Sequence, residues 1–155
     1  MRAIAVIGAN YGDEGKGLMT DYLARQQAAK QQRPLVARFN GGAQAGHTVQ
    51  LKDGSRHVFG HVAAGSFNPG ARTYLSSQFI VNLYSLNKEL EALRTKLDSP
   101  PLLFAHPQCL VTTIYDMALN SLAELSRGQE RHGSCGLGVN ETVTRSLGGH
   151  PLRLH

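Results

Sequence analysis

Cysteine is scarce in this 155-residue chain: there are two, Cys109 and Cys135, with no CxxC spacing. That excludes a disulfide scaffold and a cysteine zinc site, and it leads us to expect a reducing, cytoplasmic setting. Long apolar runs are also missing. Ala3 to Ile7 is too short for a secretion signal, and nowhere do eighteen apolar residues follow one another, so neither secretion nor membrane insertion is expected. Basic runs are absent too. Sixteen Lys+Arg against eleven Asp+Glu give +5, yet no four basic residues are consecutive, which argues against a nucleic-acid partner while favouring small anionic ones. No internal repeat, low-complexity tract or linker divides the chain.

What is present suits one folded domain. A globule of this size buries roughly 70% of its unfolded surface, and 41% hydrophobic with 17% charged residues excludes intrinsic disorder. Seventeen glycines exceed the usual share and lack a collagen period, so their positions carry information. Nine of them gather in three segments.

Ala3-Ile4-Ala5-Val6-Ile7 reads as a strand buried on both faces and central in a sheet. After the glycines that follow, Leu18, Met19, Tyr22 and Leu23 recur at helical spacing toward Gln32, and Pro34 to Phe39 reads as a second strand parallel to the first. A hairpin is expected from Thr48–Leu51 and Arg56–Val62 around Asp53-Gly54. Tyr74-Leu75 and Phe79 to Val81 are apolar fragments of open type. Ser85 is a candidate N-cap for a helix presenting Leu86, Leu90, Leu93 and Leu97, closed by Pro100-Pro101. Leu102 to Ala105 reads as a third buried strand, and Thr113 to Ser126 as a helix with Ile114, Met117, Ala118, Leu122 and Leu125 on its apolar face. The expected fold is α/β, a mainly parallel sheet with flanking helices, a phosphate loop after the first strand, and a hairpin.

Gly12-Asp13-Glu14-Gly15-Lys16-Gly17 stands between the first strand and first helix. Glycines there let backbone N–H groups approach a ligand, the helix start adds partial positive charge, and Lys16 adds a full one, as a phosphate cradle requires. It is not a Walker A loop, because Asn10 stands where glycine is needed and Gly17 where a magnesium-holding Ser or Thr would be. Asp13 is a candidate metal ligand, general base, or both. A tight turn with solvated charges is the plainer alternative.

Asn40-Gly41-Gly42-Ala43-Gln44-Ala45-Gly46-His47-Thr48 leaves the second strand and should face the first loop across a shared crevice. Asp13 and His47 would then form a base and acid pair across a substrate, each worth about 10²–10⁴ in rate. His57, His61, His106 and His132 have no comparable setting. The third segment, His132 to Glu141, offers backbone N–H groups and the Ser134 hydroxyl to an anion, with a plain surface loop as the alternative. No histidine is placed beside Cys135 to activate it.

Val6-Ile7-Gly8 with Tyr11 to Gly17, then Ala37 to Gly42 and Ala45-Gly46-His47-Thr48-Val49, resembles the adenylosuccinate synthetase family. The resemblance implies a homodimeric ligase of purine biosynthesis that joins aspartate to IMP through a 6-phosphorylated purine, with Mg²⁺ and GTP or ATP as phosphoryl donor. It implies that Asp13 takes the N1 proton and binds Mg²⁺, that His47 assists phosphate transfer as acid, and that Gly46 offers its carbonyl to the metal. By the same carry-over Gly12, Asp13, Glu14, Gly15, Lys16 and Gly17 hold phosphates, Gln44, Ala45, Gly46, His47, Thr48 and Ser134 contact nucleotide, and Arg145 reaches a neighbouring subunit's site.

Tyr11, Leu18, Ala43, Gln44, Cys135 and Leu137 depart from the family pattern, which keeps open a relative of phage enzymes that act on a guanine nucleotide to make 2-aminoadenylosuccinate. Asp13, often replaced in those enzymes, is retained. No later Lys-x-Asp motif or aspartate-binding loop is found, so the chain is expected to be the N-terminal part of a longer enzyme, with a nucleotide-binding remnant lacking turnover as the rival.

Overall fold

A computed structural model describes residues 3–155. The main sheet is parallel throughout: β1 (Leu35–Gly42) pairs with β4 (Arg72–Asn82), which on its other edge takes β5 (Leu102–Ala105) along its first half and β6 (Leu110–Thr112) along its last residues. A separate antiparallel hairpin joins β2 (His47–Gln50) to β3 (Arg56–Phe59), with His47 opposite Phe59. Its turn is the expected one. Gly54 takes φ 88°, and Asp53 accepts from the Ser55 N–H at 2.8 Å.

The helices are α1 (Lys16–Ala29), α2 (Leu83–Arg94), α3 (Ile114–Ser126) and α4 (Val139–Leu147). The two open-type fragments are one strand: β4 runs through both and is the centre of the sheet. Asn82, rather than Ser85, caps α2, its side-chain oxygen accepting from the Ser85 N–H at 2.9 Å. The leucine face is as expected. Leu93 is fully buried with Val49, Phe59, Val62 and Ala64, Leu90 and Leu97 pack on that cluster, and Leu86 packs on a second one of Leu75, Phe79, Val81 and Cys109.

Further expectations need correction. Ala3–Ile7 carries no strand, and Ile7 is 86% exposed, so the glycine loop does not follow a sheet strand here. An apolar β-branched run signals a wish for burial but supplies no hydrogen-bonded neighbour, and β4 takes the central position instead. Accordingly β1 is parallel to β4 rather than to that segment. β5 forms, but as an edge strand with Leu102 and Phe104 half-exposed. On α1 the buried residues are Gly17, Asp21 and Ala24, while Leu18, Met19 and Tyr22 face outward.

α3 is likewise rotated from its apolar reading. Asp116 and Asn120 are buried, whereas Ile114, Leu122 and Leu125 are at least 60% exposed. Polar pairing explains the rotation. Thr113 and Asp116 form a capping box, and the same carboxylate receives Arg145 Nε and Nη2, each at 3.0 Å, from α4. Asn120 donates to Glu141 at 3.1 Å. Specific hydrogen bonds set which face of α3 meets α4, and the leucines remain outside.

Replacing Asp116 with Asn removes the ionised partner of a half-enclosed arginine and weakens the capping box. We expect a loss of about 3 kcal/mol in stability, measured by chemical denaturation. A loss under about 0.5 kcal/mol, as at an ordinary surface site, would show that the pair does not hold α3 on α4.

Candidate functional site

The first glycine segment ends at Gly15, which is left-handed (φ 78°) and serves as the N-cap of α1 with no side-chain hydrogen bond to the helix. The first amides of α1 are therefore free of a protein cap and point toward the loop. Gly12 (φ 130°) and Asp13 (φ 57°) also have positive φ; for Asp13 this is a conformation few non-glycine residues adopt. Asp13 itself is exposed.

Inside the loop an anion is already held, and it belongs to the chain. The Glu14 carboxylate accepts from the N–H groups of Asn10 at 3.1 Å and Gly12 at 3.2 Å, and it pairs with Lys16. The Lys16 ammonium first, then the backbone N–H of Glu14 itself and those of Asn10 and Gly12, hold its carboxyl down to about 2. The loop thus favours negative charge by geometry as well as by composition.

The second glycine segment meets the first at one point. A Cβ on Gly17 would stand 2.9 Å from the His47 Cβ and 3.0 Å from the Thr48 carbonyl oxygen, so glycine there lets α1 begin directly against β2. The contact lies between the helix start and His47; it involves Gly17 rather than Asp13. The imidazole is half-buried, and burial first, then the positive charges of Arg38 and Lys16, lower its pKa below the ordinary 6.5. These influences favour the neutral form. Gln44, Ala45, Gly46 and Thr48 are exposed along the same edge.

The third segment repeats the first in outline. Gly138, left-handed at φ 66°, is the N-cap of α4 without a side-chain hydrogen bond, and the N–H groups of Gly133 and Ser134 point at the Glu124 carboxylate at 3.0 and 3.3 Å. Ser134 Oγ donates to Asn120 at 2.9 Å. Arg145 is occupied within its own chain: besides Asp116 it donates to the carbonyls of Val111 at 2.8 Å and His150 at 2.7 Å.

Sequence reasoning missed a buried polar cluster beside the second loop. Glu89 on α2 is 8% exposed and accepts from the N–H groups of Gly60 at 3.0 Å and His61 at 2.7 Å. His57 Nε2 and His61 Nδ1 lie 3.7 and 3.4 Å from the same carboxylate. His61 Nε2 accepts from the Asn82 N–H at 3.0 Å, so its proton is on the nitrogen facing Glu89. The cluster floors a cavity of about 240 Å³ that reaches from Ala43 past Ser85 to Leu137, joining the second and third segments. Only the period-two alternation of His57 and Phe59, both buried, pointed to it in the sequence.

Among the described residues no group of three or more His, Cys, Asp or Glu side chains could hold a metal ion. Asp13 and the Gly46 carbonyl are hard oxygen donors of the kind that hold Mg²⁺ together with substrate phosphates, and such a site needs few protein ligands. No helix among the described residues is long and apolar enough to cross a membrane.

Fold and site together define an α/β protein with glycine-lined anion loops opening onto two helix starts. The adenylosuccinate synthetase family model matches residues 5–155. The chain is 34% identical over 151 residues to an adenylosuccinate synthetase of Nocardioides, covering 95% of this chain and 34% of that protein, and 35% identical over 150 residues to adenylosuccinate synthetase 1 of Photorhabdus laumondii, covering 97% and 33%. It belongs to the adenylosuccinate synthetase family, and it spans about a third of the length of these relatives.

Two solved structures share the fold at 24% identity. The fully ligated Plasmodium falciparum adenylosuccinate synthetase superposes with a TM-score of 0.79 over 95% of this chain and 33% of that one. The cyanophage S-2L succinoaminodeoxyadenylate synthetase, bound to dGMP and dATP, gives 0.67 over 88% and 35%.

Gly17→Ala forces α1 away from β2. We expect about 1–3 kcal/mol of destabilisation in thermal melting, accompanied by altered amide resonances at His47 and Thr48. Unchanged resonances there would show that the two segments are not in contact.

Proposed function

We propose that this chain carries the phosphate-handling part of a purine-nucleotide ligase site of the adenylosuccinate synthetase type. The observation that supports this reading best is the uncapped start of α1, left-handed at Gly15, seated at Gly17 against His47 beside a loop that already attracts a carboxylate. The substrates would be IMP, GTP and aspartate.

In this reading the amides of the Gly12–Gly17 segment and Lys16 bind the triphosphate, whose negative charge grows on the transferring group and is met by fixed dipoles and one ammonium. Asp13 removes the proton from purine N1, and the 6-oxygen attacks the γ-phosphorus as the bond to the bridging oxygen of the leaving diphosphate breaks. The aspartate amine then displaces phosphate at C6. Mg²⁺, when bound, supplies positive charge at the phosphates, and Asp13 and the Gly46 carbonyl would hold it.

His47 serves as the acid, and its setting makes that role conditional. Burial, Arg38 and Lys16 oppose a proton on the free imidazole. Arriving phosphate charge offsets Arg38 and Lys16, so the proton is gained when substrate is present. Gln44, Ala45, Thr48 and Ser134 contact the nucleotide. Arg145 would cross to a second subunit of a homodimer only by leaving its four partners in Asp116, Val111 and His150.

A guanine-nucleotide substrate is the second reading, favoured by the cyanophage enzyme's shared fold and by Ala43-Gln44 in the second loop.

Calorimetric titration of the chain with IMP, dGMP, and magnesium with GTP or ATP tests both readings. We expect a triphosphate to bind, Lys16→Ala to weaken it about tenfold or more, and Asp13→Asn to leave most nucleotide affinity while abolishing diphosphate release in the presence of the accepted purine. Binding of dGMP and not IMP selects the second reading. No heat with any triphosphate would overturn the phosphate-handling assignment.

A further inference from the structure

Arg38 is an unusual residue to find buried in the middle of β1, an edge strand most of whose other residues are not buried. It is 6% exposed, its guanidinium carbon lies 5.1 Å from the Phe79 ring centroid, and it is the only arginine among the buried residues described. Its donors leave β1 for two backbone carbonyls that are distant in sequence: Nη1 to Phe59 at 3.1 Å and Nη2 to Ala45 at 2.7 Å.

Those two carbonyls bracket His47. Phe59 is the residue directly opposite His47 in the β2–β3 ladder, and Ala45 precedes it by two positions. One planar guanidinium thus ties the chain entering β2 to the chain leaving β3, at the open end of the hairpin where the imidazole stands. The turn after Phe59 is gripped from the other side by charge of opposite sign, since Glu89 takes the next two amides, Gly60 and His61. A cation on the carbonyl and an anion on the N–H of the one Phe59–Gly60 peptide group hold that plane from both ends, as opposed charge-assisted hydrogen bonds do, and the His61 N–H adds the next plane. Burial pushes the Arg38 pKa down to about 10 while the Glu89 charge resists that fall, so the guanidinium keeps its charge at neutral pH.

We propose that Arg38 is a positioning residue for His47: bridging Phe59 and Ala45, it fixes the hairpin end and the second glycine loop so that the imidazole faces the start of α1. The functional meaning of that placement rests on the phosphate-transfer reading above. A lysine cannot replace it, because a single ammonium lacks the planar fork that reaches two carbonyls at once.

The test compares Arg38→Lys and Arg38→Met with Leu103→Ala, a cavity variant in the second cluster that lowers stability away from the hairpin. Hydrogen exchange and His47 three-bond side-chain couplings are measured on the unliganded chain. Arg38→Lys is expected to raise exchange about tenfold or more at residues 45–49 and 58–60, leaving α3 and α4 near parental protection. The His47 couplings should pass from single-rotamer to averaged values, and Leu103→Ala should change neither. If Arg38→Met does not fold, Arg38→Lys alone decides. Parental exchange and couplings in Arg38→Lys, or the same diffuse change as in Leu103→Ala, would overturn the proposal. Failure of the parent chain to bind nucleotide would remove the phosphate-handling reading and leave this result standing.

Glu89, the opposing half of the grip, gives an independent check on the same end of the hairpin. Burial alone would raise its carboxyl pKa, but the imidazoles of His57 and His61, with the His61 N–H, outweigh that and hold it well below the ordinary 4.5, at about 2. A carboxyl lowered in the folded state contributes stability above pH 4.5 that is lost as pH falls toward about 2. Glu89→Gln should therefore be less stable than the parent at pH 7, with the difference shrinking through that window. A pH-independent difference would exclude Glu89 as an ionised hub.

Discussion

A missing side chain at Gly17 sets the geometry on which the site depends. Any Cβ there would meet His47 and Thr48 at about 3 Å, so only glycine lets the first turn of α1 lie directly on β2. That contact brings a helix start with free amides, a lysine and an imidazole into one place. Their chemical relation follows from that proximity: Lys16 is close enough to oppose a proton on His47, and an anion bound to the amides would be close enough to favour it.

Opposed charges set against backbone groups hold the surrounding frame. Arg38 and Glu89 hold the end of the hairpin, while Asp116 and Arg145 hold α3 against α4 with the Thr113 cap. In both places charged side chains take up amides and carbonyls at the ends of strands and helices, which is how a chain with a modest apolar core fixes its loops. Glu14 and Glu124 do something different. They sit on exposed glycine-loop amides and show that these amides attract negative charge even without a ligand.

The sequence was legible where local chemistry decides the structure. Asp53-Gly54 specified the hairpin turn, the leucine spacing specified the buried face of α2, and the first glycine segment marked the start of α1 with positive φ, whereas α4 after the third segment was read only as loop. It misled where partners decide. Ala3–Ile7 has the composition of a central strand and no ladder in the structure, and the leucines of α3 lost to Asp116 and Asn120 because helical periodicity counts apolar positions without weighing a charge-assisted bond from another helix. Arg38 and Glu89 were invisible for the same reason: one lies in a strand and the other in a helix, 51 positions apart by number, and only the fold sets them on the two ends of the Phe59–Gly60 peptide group.

The most direct test of the central claim is a heteronuclear NMR titration of the chain with magnesium pyrophosphate, following backbone amides. If the helix start and the hairpin form one anion-responsive pocket, resonances of Gly15, Lys16, Gly17 and His47 shift together with a single saturation curve. Shifts confined to scattered lysines and arginines, with those four unmoved, would contradict it.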